Sequence, residues 1–146
     1  MSQAFPKCEE DWLRIASDFE TKRQLPYCLG AIDGKRIRIV PPKESGSFFF
    51  NYKKTDSVVL MGAANANYEF VYCDVGTNER ASDGGVLQNT KFYKLLVNNS
   101  LKVPQPQQIA NSQEIGLMEY VFVGDYAFAI HKEKSSKEER IFNYRL

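Results

Sequence analysis

Two aspartates stand where apolar strand patterns have no evident use for a charge. Asp33 interrupts Gly30-Ala31-Ile32-Asp33-Gly34-Lys35-Arg36-Ile37-Arg38-Ile39-Val40, and Asp125 follows Gly124 at the end of Tyr120-Val121-Phe122-Val123. A carboxylate buried in such a place costs several kcal/mol unless it is paired, hydrogen-bonded or bound to a cation. Neighbouring strands of one sheet can bring two such acids side by side although they lie far apart in the chain. Like charges at that distance repel and raise one another's pKa, and a divalent ion removes the conflict. Oxygen-only ligands suit Mg²⁺ or Mn²⁺ rather than zinc, and two such ions can activate water and stabilise the leaving oxygen of a phosphodiester. Asp33-Gly34 and Gly124-Asp125 are also frequent turn dipeptides. The residues by themselves therefore leave metal ligation and turn formation both open.

Other chemistry-bearing residues are sparser. Lys35, Arg36 and Arg38 beside Asp33 suit a phosphate backbone and equally a solvated strand face. Asp74 and Asp83, in Cys73-Asp74-Val75-Gly76 and Ser82-Asp83-Gly84-Gly85, read as turn or helix-capping acids. His131 is the sole histidine and sits in a charged tail, a poor basis for a Ser-His-Asp triad or a histidine zinc site. Ser45-Gly46-Ser47 lacks the GKS/T ending and the following helix of a phosphate-binding loop.

The elements that must position these residues follow from local pattern. Trp12, Ile15, Ala16 and Phe19 fall at helical spacing over Cys8 to Arg23, with acids ahead and bases behind, as the helix dipole favours. The Leu25-Pro26 step ends that helix, because the residue before a proline is pushed out of the helical region. The Arg36-Ile37-Arg38-Ile39 alternation predicts a strand with one wetter face, stopped by Pro41-Pro42. Residues 42–52 read as a loop whose aromatics Phe48, Phe49 and Phe50 need cover. Asp56 to Ala66 and Tyr68 to Val75 predict an antiparallel hairpin turning at Asn65-Ala66-Asn67. Gly76 to Gly85 reads as a loop. Phe92, Leu95 and Leu96 predict a short helix over 88–97, and Pro104 and Pro106 an extended connection. Tyr120 to Val123 reads as a strand buried on both faces.

Composition narrows the function classes. The 146 residues carry 19 Lys or Arg against 18 Asp or Glu, so bulk charge does not grip nucleic acid and any polyanion site must be local. The longest apolar run, Val58 to Ala64, is far too short to span a bilayer. The N-terminus lacks the basic start and apolar stretch of a secretory signal. Cys8, Cys28 and Cys73 are odd in number and far apart, giving neither a disulfide framework nor a zinc spacing. No linker or repeat divides the chain, so residues 1–146 read as one domain.

Several blocks taken in order add a family. Pro26-Tyr27-Cys28-Leu29-Gly30-Ala31-Ile32-Asp33-Gly34-Lys35, Phe50-Asn51-Tyr52-Lys53, Asp74-Val75-Gly76, Ser82-Asp83-Gly84-Gly85-Val86, Val121-Phe122-Val123-Gly124-Asp125 and Ile141-Phe142-Asn143-Tyr144-Arg145-Leu146 together resemble the DDE endonuclease domain of the Harbinger transposase superfamily. That superfamily includes the domesticated Harbinger transposase-derived nucleases. The resemblance implies an α/β, RNase H-like fold, a mixed β-sheet flanked by helices with its first and fourth strands adjacent. It implies Asp33 and Asp125 as catalytic acids and Mg²⁺ or Mn²⁺ ligands, with Asp83 and Lys35 as residues lining the site. It further implies DNA as substrate, a nuclear location and a separate DNA-binding partner protein. In the family the IFNYRL block runs on into an arginine-rich helix and a third acid. This sequence stops at Leu146, and Tyr126 stands where an acid is common. A domain incomplete at its C-terminus, with weak cleavage or none, is the resulting expectation; a non-catalytic remnant that binds protein or nucleic acid is the alternative.

Overall fold

The computed structural model describes residues 5–50, 54–77, 87–108, 116–124 and 141–143, with 76, 77 and 141–143 described by backbone alone. Helix α1 (Glu9–Arg23) opens the chain. Glu9, Glu10 and Asp11 occupy its first turn and Lys22 and Arg23 its last, so both ends complement the dipole. The helix stops one step before the Leu25-Pro26 pair. Gln24 turns left-handed at φ 55°, and the amides of Gln24 and Leu25 reach the carbonyls of Glu20 and Phe19.

Strand β1 (Cys28–Arg38) follows, then the predicted hairpin, β2 (Ser57–Ala64) and β3 (Phe70–Thr77). Its turn is built by one side chain. Asn65 Oδ1 accepts the amides of Asn67 and Glu69 at 2.9 and 3.0 Å, the local bonding that makes Asn a turn former. Helix α2 (Lys91–Val97) is capped by Thr90, whose hydroxyl accepts the Tyr93 amide at 3.1 Å. Two-residue strands β4 (Gln107–Gln108) and β5 (Leu117–Met118) pair with each other alone and were not foreseen. Strands β6 (Val121–Gly124) and β7 (Ile141–Asn143) complete the main sheet.

That sheet is mixed, in the order β3-β2-β1-β6-β7. The β3-β2 and β2-β1 pairs are antiparallel, whereas β1-β6 and β6-β7 are parallel. The core joins it to the helices. Trp12 of α1 and Phe92 of α2 both meet Phe122 of β6 edge-on, at 5.6 and 5.0 Å between ring centroids. Edge-to-face rings place positive edge against negative face, which adds to the burial of their large apolar area. The indole N–H donates to the Leu101 carbonyl at 2.7 Å, so the buried Trp12 leaves no polar atom unsatisfied. Gly30 admits Phe122: a Cβ there would lie 3.1 Å from the ring.

Three expectations change. Phe122 and Gly124 of β6 are buried but Val121 and Val123 only half so, since the aromatic cluster lies on one face. The end of β1 is wet on both faces rather than one, with Lys35, Arg36, Ile37 and Arg38 all exposed. The strand there has outrun the helices that cover its beginning. Phe48 and Phe50 find only partial cover and stay about half exposed, Phe48 meeting Phe49 edge-on at 4.9 Å between ring centroids. All three cysteines are free thiols. Among the described residues no helix is long and apolar enough to cross a membrane.

Candidate functional site

Asp33 lies inside β1, six residues into an eleven-residue strand and paired with Gly62 of β2. The Asp33-Gly34 pair is therefore not a turn. Its carboxylate is exposed, so the cost of burying a charge never arises. Oδ1 accepts the Gly34 amide at 2.8 Å, which orients the group without neutralising it. The ion pairs Arg14–Asp11 and Lys22–Asp18 both lie on α1. An oriented, solvent-facing carboxylate fits a hard divalent cation.

Lys35 stands two residues on. Alternation along a strand puts it on the same face as Asp33, about 7 Å away, and puts Arg36 and Arg38 on the other. Lys35 is exposed and pairs with Leu60. Gly62, opposite Asp33, leaves room for the Phe70 ring, which would sit 2.6 Å from a Cβ at that position. Phe70 is more than half exposed and thus brings an aromatic face beside the candidate acid. No local pattern signals this, because the neighbour relation comes from β2-β3 pairing.

Asp125 and Asp83 lie outside the described residues, as does His131. The backbone nevertheless comes close to the first of them. Strand β6 is described to Gly124, and Gly124 pairs with Ile32 in the parallel β1-β6 register. The residues that follow this matched pair in the sequence are Asp33 and Asp125. Among the described residues no three His, Cys, Asp or Glu side chains gather.

Asp74 is neither a turn nor a cap. It sits within β3, paired with Met61 and hence on the opposite face from Asp33 and Gly62. It accepts the Tyr72 hydroxyl at 3.1 Å. Burial pushes the Tyr72 hydroxyl up to about 12, and the Asp74 charge adds to the rise. This pair belongs to the covered side of the sheet. Cys28, fully buried at the start of β1, is likewise raised to about 11 by desolvation. A thiol held neutral to that degree is no nucleophile.

Comparison with known proteins adds to this geometry. The family model described as DDE superfamily endonuclease matches residues 32–146. Protein ALP1-like of Arabidopsis thaliana is 30% identical over 118 residues, which cover 80% of this chain and 28% of that relative. The chain thus corresponds to less than a third of that relative's length. No solved structure matches the chain.

Proposed function

The chain belongs to the DDE superfamily endonucleases, and from that membership we propose that it is a transposase-derived nuclease of the Harbinger kind. Asp33 and Asp125 hold Mg²⁺ or Mn²⁺ for hydrolysis of DNA phosphodiesters. One observation carries the reading: the parallel register matches Ile32 with Gly124, and an aspartate follows each of the two in the sequence. The sheet order β3-β2-β1-β6-β7, antiparallel through β1 and parallel beyond it, supports an RNase H-like assignment.

When bound, the divalent ion supplies Lewis-acid activation of water and of the phosphoryl oxygen. The protein's own contribution is placement. The core that holds Ile32 and Phe122 fixes β1, which carries Asp33, and β6, whose last residue precedes Asp125 in the sequence. The Gly34 amide sets the Asp33 carboxylate. Lys35, on the same face, holds a phosphate oxygen by charge, and Asp83 lines the site. The neighbouring Phe70 limits water on one side. A net charge of +1 supports targeting by a separate DNA-binding protein, and the resemblance to Harbinger transposase-derived nucleases alone is the ground for a nuclear setting.

Two named acids hold a metal less firmly than three, so the test reads metal binding as well as cleavage. Mn²⁺ is titrated into the protein and followed by electron paramagnetic resonance, with nicking of supercoiled plasmid measured in parallel. Asp33→Ala and Asp125→Ala each abolish specific Mn²⁺ binding and any nicking the native chain shows. Unchanged Mn²⁺ affinity in both variants overturns the assignment and favours a non-catalytic binding module.

A further inference from the structure

The charge of this chain is unevenly spread. Residues 35–56 hold six Lys or Arg against two Asp or Glu, a net +4; the whole chain nets +1, which leaves −3 for the rest. The fold turns this basic stretch into an arm. β1 runs on through Arg38, and β2 returns from Ser57 opposite it. Lys35, Arg36 and Arg38 are exposed on whichever face they take.

Beyond the strand end the chain folds back on itself. The Ile39 amide donates to the Asp56 carbonyl at 3.0 Å, the Ser57 amide to the Phe49 carbonyl at 2.9 Å, and Phe50 bridges Asp56 in antiparallel fashion. Three backbone lines therefore run side by side, with Phe50 two strand spacings, about 10 Å, from the line of Arg38. Phe48 and Phe50 are 50% and 48% exposed. Two half-exposed phenyl rings share this arm with basic side chains on both of its faces, Lys35 on the Asp33 face and Arg36 and Arg38 on the other.

Lysine and arginine alone would suit any polyanion. The rings add a demand that duplex DNA does not meet, for paired bases are stacked on one another and offer no free face. Unpaired bases do, and stacking on aromatic side chains strengthens binding about tenfold or more per base. We propose that this arm binds single-stranded DNA, Lys35, Arg36 and Arg38 taking phosphates while Phe48 and Phe50 take unpaired bases. The proposal rests on the nuclease reading for its choice of DNA. Lys35 shares its face with Asp33, so a strand on the arm leads toward the acid.

Fluorescence anisotropy in EDTA, with a labelled single strand of about 20 nucleotides and its matched duplex, tests this without any metal. The single strand binds about tenfold tighter than the duplex. Replacing Lys35, Arg36 and Arg38 together by alanine lowers the slope of log affinity against log salt by about 2, since each phosphate contact on a single strand is worth about 0.7. Phe48→Ala with Phe50→Ala weakens single-strand binding about tenfold or more and leaves that slope unchanged. A duplex bound as tightly as the single strand, a variant of either set binding like the native chain, or an RNA strand bound about tenfold tighter than the DNA strand overturns the proposal. Strand binding without any Mn²⁺ binding would sink the nuclease reading alone; Mn²⁺ binding without strand binding would sink the arm alone.

Discussion

Leu29 and Ile32 of β1 lie in the core with Trp12, Phe92 and Phe122, and Cys28 is buried with Phe19; from Lys35 to Arg38 the same strand, paired with β2, stands in water. Backbone hydrogen bonding is continuous across both halves. What differs is the cover. Helix α1 packs against β1, and the Trp12–Phe122–Phe92 cluster fills one face, while no described helix reaches the outer half. Asp33 stands where cover gives way to solvent, held by a rigid strand yet open to a ligand. That is the arrangement a cation-binding carboxylate needs: precise placement without burial of its charge.

The contrast can be broken most directly in the covered half. Phe122→Ala removes the ring that both Trp12 and Phe92 touch and should cost about 3–5 kcal/mol in urea unfolding, the range for emptying an aromatic core site. A cost below about 1 kcal/mol would mean that the cluster is not the anchor of the sheet.

A second, smaller effect is expected in alkali. Cys28 rises from 9.0 to about 11 and Tyr72 from 10.0 to about 12. Each neutral acid is favoured in the folded state. The stability it lends is fully present below its unfolded value and is lost as pH rises through the folded one. Thermal midpoints should therefore hold steady to about pH 9 and then fall. In Cys28→Ala the fall begins nearer pH 10, where the unfolded tyrosine starts to ionise. An onset at the same pH in both proteins would show that Cys28 ionises alike folded and unfolded.

The smallest effect belongs to the bare half. Ile37 is 39% exposed, and Ile37→Ala should shift stability by no more than about 0.5 kcal/mol in the same urea experiment. A loss comparable with that of Phe122→Ala would show that the outer half is covered in solution.

Local patterns carried much of the fold. The apolar spacing of Trp12, Ala16 and Phe19 marked α1, and Asn65 marked the turn between β2 and β3, because helix faces and Asx turns are decided within a few residues. The candidate site was legible only in part. Asp33 was identified as an oddity in a strand, but its exposure, its Gly34 contact and its Phe70 neighbour depend on which segments lie across from it. The turn assigned to Asp74 failed for the same reason: its partner Tyr72 and the pairing of β3 with β2 are invisible to a turn propensity. Phe48 and Phe50 need cover, as apolar residues on average do, and the fold supplies only about half of it.

The sequence by itself determined the helices and hairpin, the free cysteines, and the uneven charge that concentrates on residues 35–56, since each follows from composition or from contacts a few residues long. The tertiary structure decided that β1 lies between β2 and β6 and that Ile32 meets Gly124 across a wide gap in the chain. It also decided that only the first half of β1 is covered. Strand order and cover arise from long-range burial of apolar faces against one another, and a local pattern records that a face is apolar without recording what will close over it.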